Sequence, residues 1–168
     1  MPEVFIGAGS NIEPRQHLGA ALRALAERYG VLRLSPVYRN EAVGFEGEDF
    51  LNLVIAFETE APVGEVAGAL AAIEAANGRR RGEEKFAPRS LDLDLLLYGD
   101  AAGVIDGVEL PRDEITRYAF VLKPLADLAG DQPHPVLGRT YAELWENFDN
   151  TRHPLERVAG DFAAEVAL

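Results

Sequence analysis

Residues 31–59 read VLRLSPVYRNEAVGFEGEDFLNLVIAFET, and the order of secondary-structure elements depends on this stretch. Residues 31–39 and 50–59 are rich in β-branched, leucine and aromatic residues, which predicts two strands. Between them, residues 40–49 carry two glycines and four acidic residues, which indicates an exposed loop. Two strands in succession without a helix between them argue against a doubly wound parallel sheet.

The segments on either side complete a recognisable element order. In chain order they predict a strand over residues 3–8, a helix from Pro14 to Gly30, a helix from Pro62 to Asn77-Gly78 and a strand over residues 90–98. Proline-punctuated sequence follows, with helical pieces near residues 118–128 and 141–146. The order β-α-β-β-α-β predicts an α+β fold with a ferredoxin-like core and a C-terminal extension. We expect residues 1–168 to form a single domain.

Composition excludes several classes of protein. The chain has 16 basic and 28 acidic residues, a net charge of −12, which makes nonspecific nucleic-acid binding an unsuitable function. It has no cysteine, so no disulfide or thiolate metal site is possible, and this weakly favours a reducing compartment such as the cytoplasm. The N-terminus lacks the pattern of a signal peptide, and no apolar run is long enough to span a membrane.

The predicted strand 90–98, Ser-Leu-Asp-Leu-Asp-Leu-Leu-Leu-Tyr, contains two alternating aspartates. Successive side chains of a strand point to opposite faces, so Asp92 and Asp94 share one face, about 7 Å apart. Magnesium prefers oxygen ligands and is usually held by one or two carboxylates together with substrate phosphates. The pattern therefore predicts a site for a nucleotide-bound metal; the alternative is the polar outer face of a half-exposed strand.

A basic loop precedes this strand. Five of the 16 basic residues lie within residues 79–89, opposed by two glutamates: Arg79, Arg80, Arg81, Lys85 and Arg89. Arginine presents a fork of donors that matches phosphate oxygens. A helix C-terminus attracts cations and could explain the first two arginines, but not Lys85 and Arg89 further along. Cations and a metal site at one loop–strand junction favour a polyphosphate-transferring enzyme.

These residues also carry a family resemblance. The segment from Arg79 to Leu97, which ends in Phe-Ala-Pro-Arg-Ser-Leu-Asp-Leu-Asp-Leu-Leu-Leu, resembles the signature of the 6-hydroxymethyl-7,8-dihydropterin pyrophosphokinase family. Further similar segments agree in order and spacing: residues 7–11, 35–38 with 50–52, and 119–125. The resemblance implies an α/β/α sandwich that transfers pyrophosphate from ATP to the hydroxymethyl group of a reduced pterin, releasing AMP, in folate biosynthesis.

The resemblance also implies roles for individual residues. It implies two magnesium ions on Asp92 and Asp94, and catalytic phosphate contacts from Arg79 and Arg89. It implies ATP contacts from Glu74 and Arg81, with Lys85 of the basic loop beside them. It implies a pterin site formed by Val43, Phe50, Asn52, Phe86 and Phe120; the alternative for Phe50 and Phe120 is core packing. It favours a monomer with small-molecule substrates.

Two alternatives stay open at the level of sequence. Ala71, Arg112 and Tyr118 depart from the family pattern, which is compatible with a diverged relative that binds or pyrophosphorylates another pterin. The second alternative is a non-catalytic module that binds nucleotide or pterin.

Overall fold

The computed structural model of the chain describes residues 1–41, 48–78, 90–152 and 154–168. Within these ranges a short 3₁₀ turn covers Asp113–Thr116. The helices and strands are, in chain order, β1 Glu3–Ser10, α1 Pro14–Tyr29, β2 Arg33–Leu34, β3 Tyr38–Asn40, β4 Phe50–Glu58, α2 Val63–Ala76, β5 Asp92–Tyr98, β6 Gly103–Ile105, β7 Val108–Leu110, α3 Ala119–Ala129, α4 Tyr141–Glu146, β8 Glu156–Arg157 and α5 Phe162–Glu165.

The main sheet has the strand order β5-β1-β4-β3-β8, and β2 also pairs with β4. Each of these pairings is antiparallel. Counting β2 and β3 together as one interrupted strand, the four core strands follow the order fourth, first, third, second. This arrangement confirms the predicted ferredoxin-like βαββαβ core.

Helices cover both faces of the sheet. Val4 and Ile6 of β1 point toward α1 and α2, while Phe5 points toward α3 and α4. Each helix presents an apolar stripe to its face of the sheet, such as the fully buried Leu18, Leu22 and Leu25 of α1. Burying each such side chain stabilises the fold by about 1.5–3 kcal/mol. The α/β/α sandwich implied by the resemblance is therefore present.

The predicted strand over residues 31–39 is wrong in one respect, because it is interrupted at Ser35 and Pro36. The Ser35 hydroxyl accepts a hydrogen bond from the Val54 backbone N–H at 2.8 Å, in the place of a backbone carbonyl. Pro36 has no N–H to donate to a neighbouring strand. The side chain of Ser35 thus keeps the segment on β4 while the regular ladder stops, giving β2 and β3.

The hairpin of β6 and β7 is not among the elements predicted from the sequence. Its turn is Asp106-Gly107, and both residues have positive φ, 52° and 79°. This conformation belongs to the two-residue hairpin turn for which Asp-Gly is favoured. The Asp106 carboxylate also accepts a hydrogen bond from Gly64 N–H in the first turn of α2. The hairpin is thereby attached to the helical layer.

The C-terminal extension closes the free edge of β3, which was also not predicted. β8 pairs with β3, and Val158 N–H donates to Val37 O at 2.9 Å. Beyond it, Phe162 and Val166 are buried in the core formed by α1 and α2. Covering an edge strand in this way protects its unpaired backbone groups. No helix in the described ranges is long and apolar enough to cross a membrane.

Candidate active site

Asp92 and Asp94 lie on the face of β5 that α3 covers. Their neighbours Leu91, Leu93 and Leu95 are buried in the opposite core, beneath α1 and α2. Alternation along the strand therefore turns both carboxylates the same way, as the Asp-x-Asp pattern predicts. Each aspartate faces a glycine of β1, because Asp92 pairs with Gly9 and Asp94 with Gly7. The sheet surface in front of the carboxylates is therefore free of β1 side chains.

The sheet register places Asn52 in line with this pair. Gly9 pairs with Asp92 on one side and with Asn52 on the other, and Asn52 pairs in turn with Tyr38. We call Asp92, Gly9, Asn52 and Tyr38 the cross-strand row. A Cβ added to Gly9 would lie 2.5 Å from Asn52 Oδ1, so the asparagine side chain leans over the glycine toward β5. Strand spacing puts the Asp92 and Asn52 backbones about 10 Å apart.

The amide of Asn52 is held in a fixed orientation. Its Nδ2 donates to Asn40 Oδ1, and Asn40 Nδ2 donates to the Glu41 carbonyl at 3.1 Å. Both asparagines are buried. A buried amide needs such partners, since an unsatisfied one would cost about 1–3 kcal/mol. Asn52 Oδ1 therefore faces the gap above Gly9, where it can accept a hydrogen bond from a heterocycle edge.

Charge is concentrated around Asp94. Arg112 Nη2 lies 3.3 Å from Asp94 Oδ1 and 3.4 Å from Glu114 Oε1. Burial, and next the negative charge of Asp92, raise the pKa of Asp94 to about 7. Arg112 lowers the pKa, while Glu114 and Glu74 raise it further. Burial and the charge of Asp92 thus disfavour the ionised form of Asp94, and a bound divalent cation would favour it.

Glu74 reaches the same site from α2. Its carboxylate accepts the Leu93 backbone N–H at 2.8 Å, on the edge of β5 that does not face β1. The group thus lies between the backbones of Asp92 and Asp94. The predicted ATP contact of Glu74 stays a prediction, and its carboxylate attaches α2 to β5.

The predicted aromatic residues lie on elements that border the row. Phe50 begins β4 two residues before Asn52 and so points to the same face. Phe120 lies in the first turn of α3 and stacks on Tyr118, with ring centroids 5.1 Å apart. The remaining predicted site residues lie outside the described residues: Val43, Arg79, Arg81, Lys85, Phe86 and Arg89.

Tyr38, Asp127 and Lys123 form a contact that sequence reasoning missed. The Tyr38 hydroxyl donates to Asp127 on α3, and Lys123 Nζ donates to the same carboxylate at 2.8 Å. The i,i+4 spacing of Lys123 and Asp127 is a visible helix signal. Nothing in the sequence indicates the partner 89 residues away. This contact ties α3 to the sheet at the end of the cross-strand row.

The donor set fits magnesium. In the described part of the chain, no three His, Asp or Glu side chains are arranged to hold a metal ion by themselves. A pair of carboxylates on one strand face matches the way magnesium is usually bound, with the remaining ligands from substrate phosphates and water. The site therefore suits a metal that arrives with a polyphosphate.

Comparison with known proteins shows a family match over most of the chain. Residues 5–130 match the family model for 7,8-dihydro-6-hydroxymethylpterin-pyrophosphokinase (HPPK). A Pseudomonas aeruginosa 2-amino-4-hydroxy-6-hydroxymethyldihydropteridine pyrophosphokinase is 40% identical over 146 residues, 84% of this chain and 88% of the relative. The Synechocystis enzyme of the same name is 37% identical, over 87% of this chain and 76% of that protein.

Solved structures agree on the fold. The wild-type HPPK-DHPS of Plasmodium falciparum superposes with a TM-score of 0.65 at 13% identity, covering 86% of this chain. This chain spans 44% of that longer protein, so the likeness concerns the fold of one part of it. Together with the sequence matches over residues 5–130, these findings establish that the chain belongs to the 7,8-dihydro-6-hydroxymethylpterin-pyrophosphokinase family, as the resemblance in its sequence predicted.

Proposed function

We propose that this chain transfers pyrophosphate from ATP to the hydroxymethyl group of 6-hydroxymethyl-7,8-dihydropterin, using Asp92 and Asp94 as the magnesium ligands. The family assignment makes the chain an ATP-dependent diphosphokinase of folate synthesis, with ATP as co-substrate and a pterin as acceptor. The observation that carries the residue assignment is the cross-strand row, in which Asp92 and Asn52 flank Gly9 on one face of the sheet.

On the metal side, Asp92 and Asp94 would hold two magnesium ions. Magnesium bound there would supply neutralisation of phosphate charge and polarisation of the phosphorus under attack. The protein contributes a fixed strand, since the Leu93 N–H between the two aspartates is bound by Glu74 at 2.8 Å. The glycines opposite both carboxylates add no β1 side chain to this part of the site.

On the pterin side, Asn52 forms hydrogen bonds with the edge of the heterocycle. Its amide can donate and accept, and Asn40 sets which atom faces the site. Phe50 and Phe120 are proposed to contact the flat ring system, because aromatic side chains stack on such rings. Val43 and Phe86 complete the proposed pterin set on the strength of the sequence resemblance.

The phosphate contacts are proposed to come from the basic loop. Arg79 and Arg89 would stabilise charge that develops on the transferred group, while Arg81, Lys85 and Glu74 would contact ATP. Five cations within residues 79–89 of a chain with net charge −12 support this assignment. Arginine forms charge-assisted, bidentate hydrogen bonds to phosphate oxygens.

The transfer depends on the protein to position the two substrates and needs no covalent intermediate with the protein. The hydroxymethyl oxygen forms a bond to the β-phosphorus, and the bond from that phosphorus to the bridging oxygen of the α-phosphate breaks. AMP leaves with the bridging oxygen, and the hydroxyl proton passes to water. Transition states of this kind are loose, so alignment of acceptor and leaving group carries most of the rate enhancement.

Three wider statements belong to the same proposal. The whole chain is proposed to act as one domain, because Phe162 and Val166 near its C-terminus are buried in the same core as β1. We propose that it acts as a monomer. We also propose a cytoplasmic location, which the absence of cysteine favours.

The test is magnesium-dependent AMP release with the reduced hydroxymethylpterin, comparing wild type with Asp92→Asn and Asp94→Asn. Loss of a metal ligand should lower kcat/KM at least about 100-fold in each variant. Asp100→Asn, an exposed position just after the same strand, is the matched control and should be unaffected. Full activity of Asp94→Asn would refute the assignment, and tight ATP–magnesium binding without AMP release in wild type would indicate a non-catalytic module.

A further inference from the structure

Arg112 lies between two carboxylates at the metal site. Its backbone N–H donates to Leu96 O at 2.9 Å, so the residue is anchored to the edge of β5. A single nitrogen of its side chain, Nη2, is 3.3 Å from Asp94 Oδ1 and 3.4 Å from Glu114 Oε1. The contact to Glu114 is a hydrogen bond, whereas the contact to Asp94 is an ion pair. One guanidinium nitrogen is thus shared by two acceptors.

We propose that Arg112 is the resident counter-ion of Asp94, and that it shifts wholly to Glu114 when a divalent cation binds. This inference rests on the proposed role of Asp94 as a magnesium ligand. Arg112 acts here as a positioning residue: through its own position it controls how available the Asp94 carboxylate is to a metal.

Competition for Asp94 follows from charge. Among the described residues, the carboxylates near Asp94 are those of Asp92, Glu74 and Glu114, and the guanidinium near it is that of Arg112. A divalent cation bound to Asp94 Oδ1 would repel the Arg112 guanidinium, which lies 3.3 Å from the same oxygen. Binding of a metal at this oxygen therefore favours the position in which Arg112 contacts Glu114 alone.

Glu114 provides the place to which Arg112 moves. It lies two residues after Arg112, in the 3₁₀ turn Asp113–Thr116, and its side chain is only 14% exposed. Since the Arg112 backbone is fixed on Leu96, only the end of the side chain needs to turn. Glu114 thus lowers the cost of releasing Asp94, and metal affinity depends on both residues together.

Two substitutions should therefore change metal affinity in opposite directions. Arg112→Gln removes the competitor and should strengthen binding of Mg²⁺ alone. Glu114→Gln leaves Arg112 in contact with Asp94 and should weaken the binding of Mg²⁺. In the Arg112→Gln background, Glu114→Gln should have little effect, because the arginine through which it acts is gone.

The experiment is a double-mutant cycle on the full chain without nucleotide. Mg²⁺ is titrated into wild type, Arg112→Gln, Glu114→Gln and the double variant, followed by calorimetry and by the metal-dependent rise in Tm. The expected coupling between the two substitutions is at least about threefold in Kd, which is about 0.65 kcal/mol. The Arg15–Glu165 pair, an exposed ion pair at 3.0 Å, gives a control cycle with the same charge changes and no expected coupling.

The outcomes separate this inference from the proposed function. Effects that add within threefold would overturn the arginine shift, because they would mean that the two charges act on the metal independently. Asp94→Asn is measured in the same series. If it binds Mg²⁺ as tightly as wild type, the ligand assignment of the proposed function fails; if it loses binding while the cycle is additive, only the role of Arg112 fails.

Discussion

Replacing Asp94 by asparagine should stabilise the metal-free protein above neutral pH. Burial and the neighbouring Asp92 raise the pKa of Asp94 from 3.8 to about 7 in the folded chain. A rise of about 3 units corresponds to about 4 kcal/mol at most, at 1.36 kcal/mol per unit. Asparagine also loses the ion pair with Arg112, so we expect a net gain of about 1–3 kcal/mol in the free energy of unfolding.

The sign of the pH dependence follows from the direction of the shift. Between the unfolded and folded pKa values, the folded state binds more protons than the unfolded state. The contribution of Asp94 to the stability of wild type therefore falls as pH rises from about 4 to about 7, and this contribution is absent in the variant. The advantage of Asp94→Asn should be small near pH 4 and complete above about pH 7.

The assay is urea denaturation in EDTA at about pH 5 and about pH 8, with Asp100→Asn as a matched exposed control. Adding magnesium at about pH 8 should stabilise wild type and leave Asp94→Asn unchanged, because a ligand stabilises only the state that binds it. A variant that is less stable than wild type at about pH 8, or whose advantage does not grow with pH, would show that a charged, buried Asp94 does not destabilise the fold.

Gly9→Ala should raise the KM for the pterin at least about tenfold, because the new Cβ would meet Asn52 Oδ1 at 2.5 Å; unchanged pterin kinetics would contradict this. Tyr38→Phe should lower the free energy of unfolding by about 1–2 kcal/mol through loss of the hydrogen bond to Asp127, measured by urea denaturation, and a neutral result would show that the bond is not stabilising. Phe162→Ala should cost about 3 kcal/mol or more in the same assay, since the ring is buried in the α1 core, whereas a cost near zero would mean that the C-terminal extension is not docked there.

These variants have internal controls. Gly68→Ala lies on α2 with open space around its Cβ position, so it should leave pterin kinetics unchanged and slightly raise stability. Tyr98→Phe removes a different tyrosine hydroxyl, which donates to the Ala61 carbonyl at 2.7 Å, and it should leave the link between α3 and the sheet intact.

Local patterns in the sequence were sufficient to predict most of the helices and strands of the fold. Alternation placed Asp92 and Asp94 on one face, and apolar spacing gave the helices that cover the sheet. The interruption at Ser35 and Pro36 was not predicted. The Ser35 hydroxyl bonds to Val54 N–H, and this hydrogen bond depends on the pairing with β4 and not on the residues next to Ser35 in sequence. The Asp106-Gly107 hairpin carried a signal that the sequence analysis did not use.

The arrangement of the site depends on register, which sequence does not give. That Gly9 stands between Asp92 and Asn52 follows from two separate strand pairings, and a shift of one residue would turn the asparagine to the other face. The contact of Arg112 with Asp94 likewise requires the chain to return along β5 after the hairpin. Such contacts join residues whose spacing in the chain follows no local period.

The most direct test of the metal assignment is a crystal structure with Mn²⁺ and an ATP analogue that cannot be cleaved between the α- and β-phosphates. Anomalous scattering locates the metal without reference to activity. We predict metal density within about 2.3 Å of carboxylate oxygens of both Asp92 and Asp94. Metal bound to the nucleotide alone, with both aspartates still in internal contacts, would contradict the account.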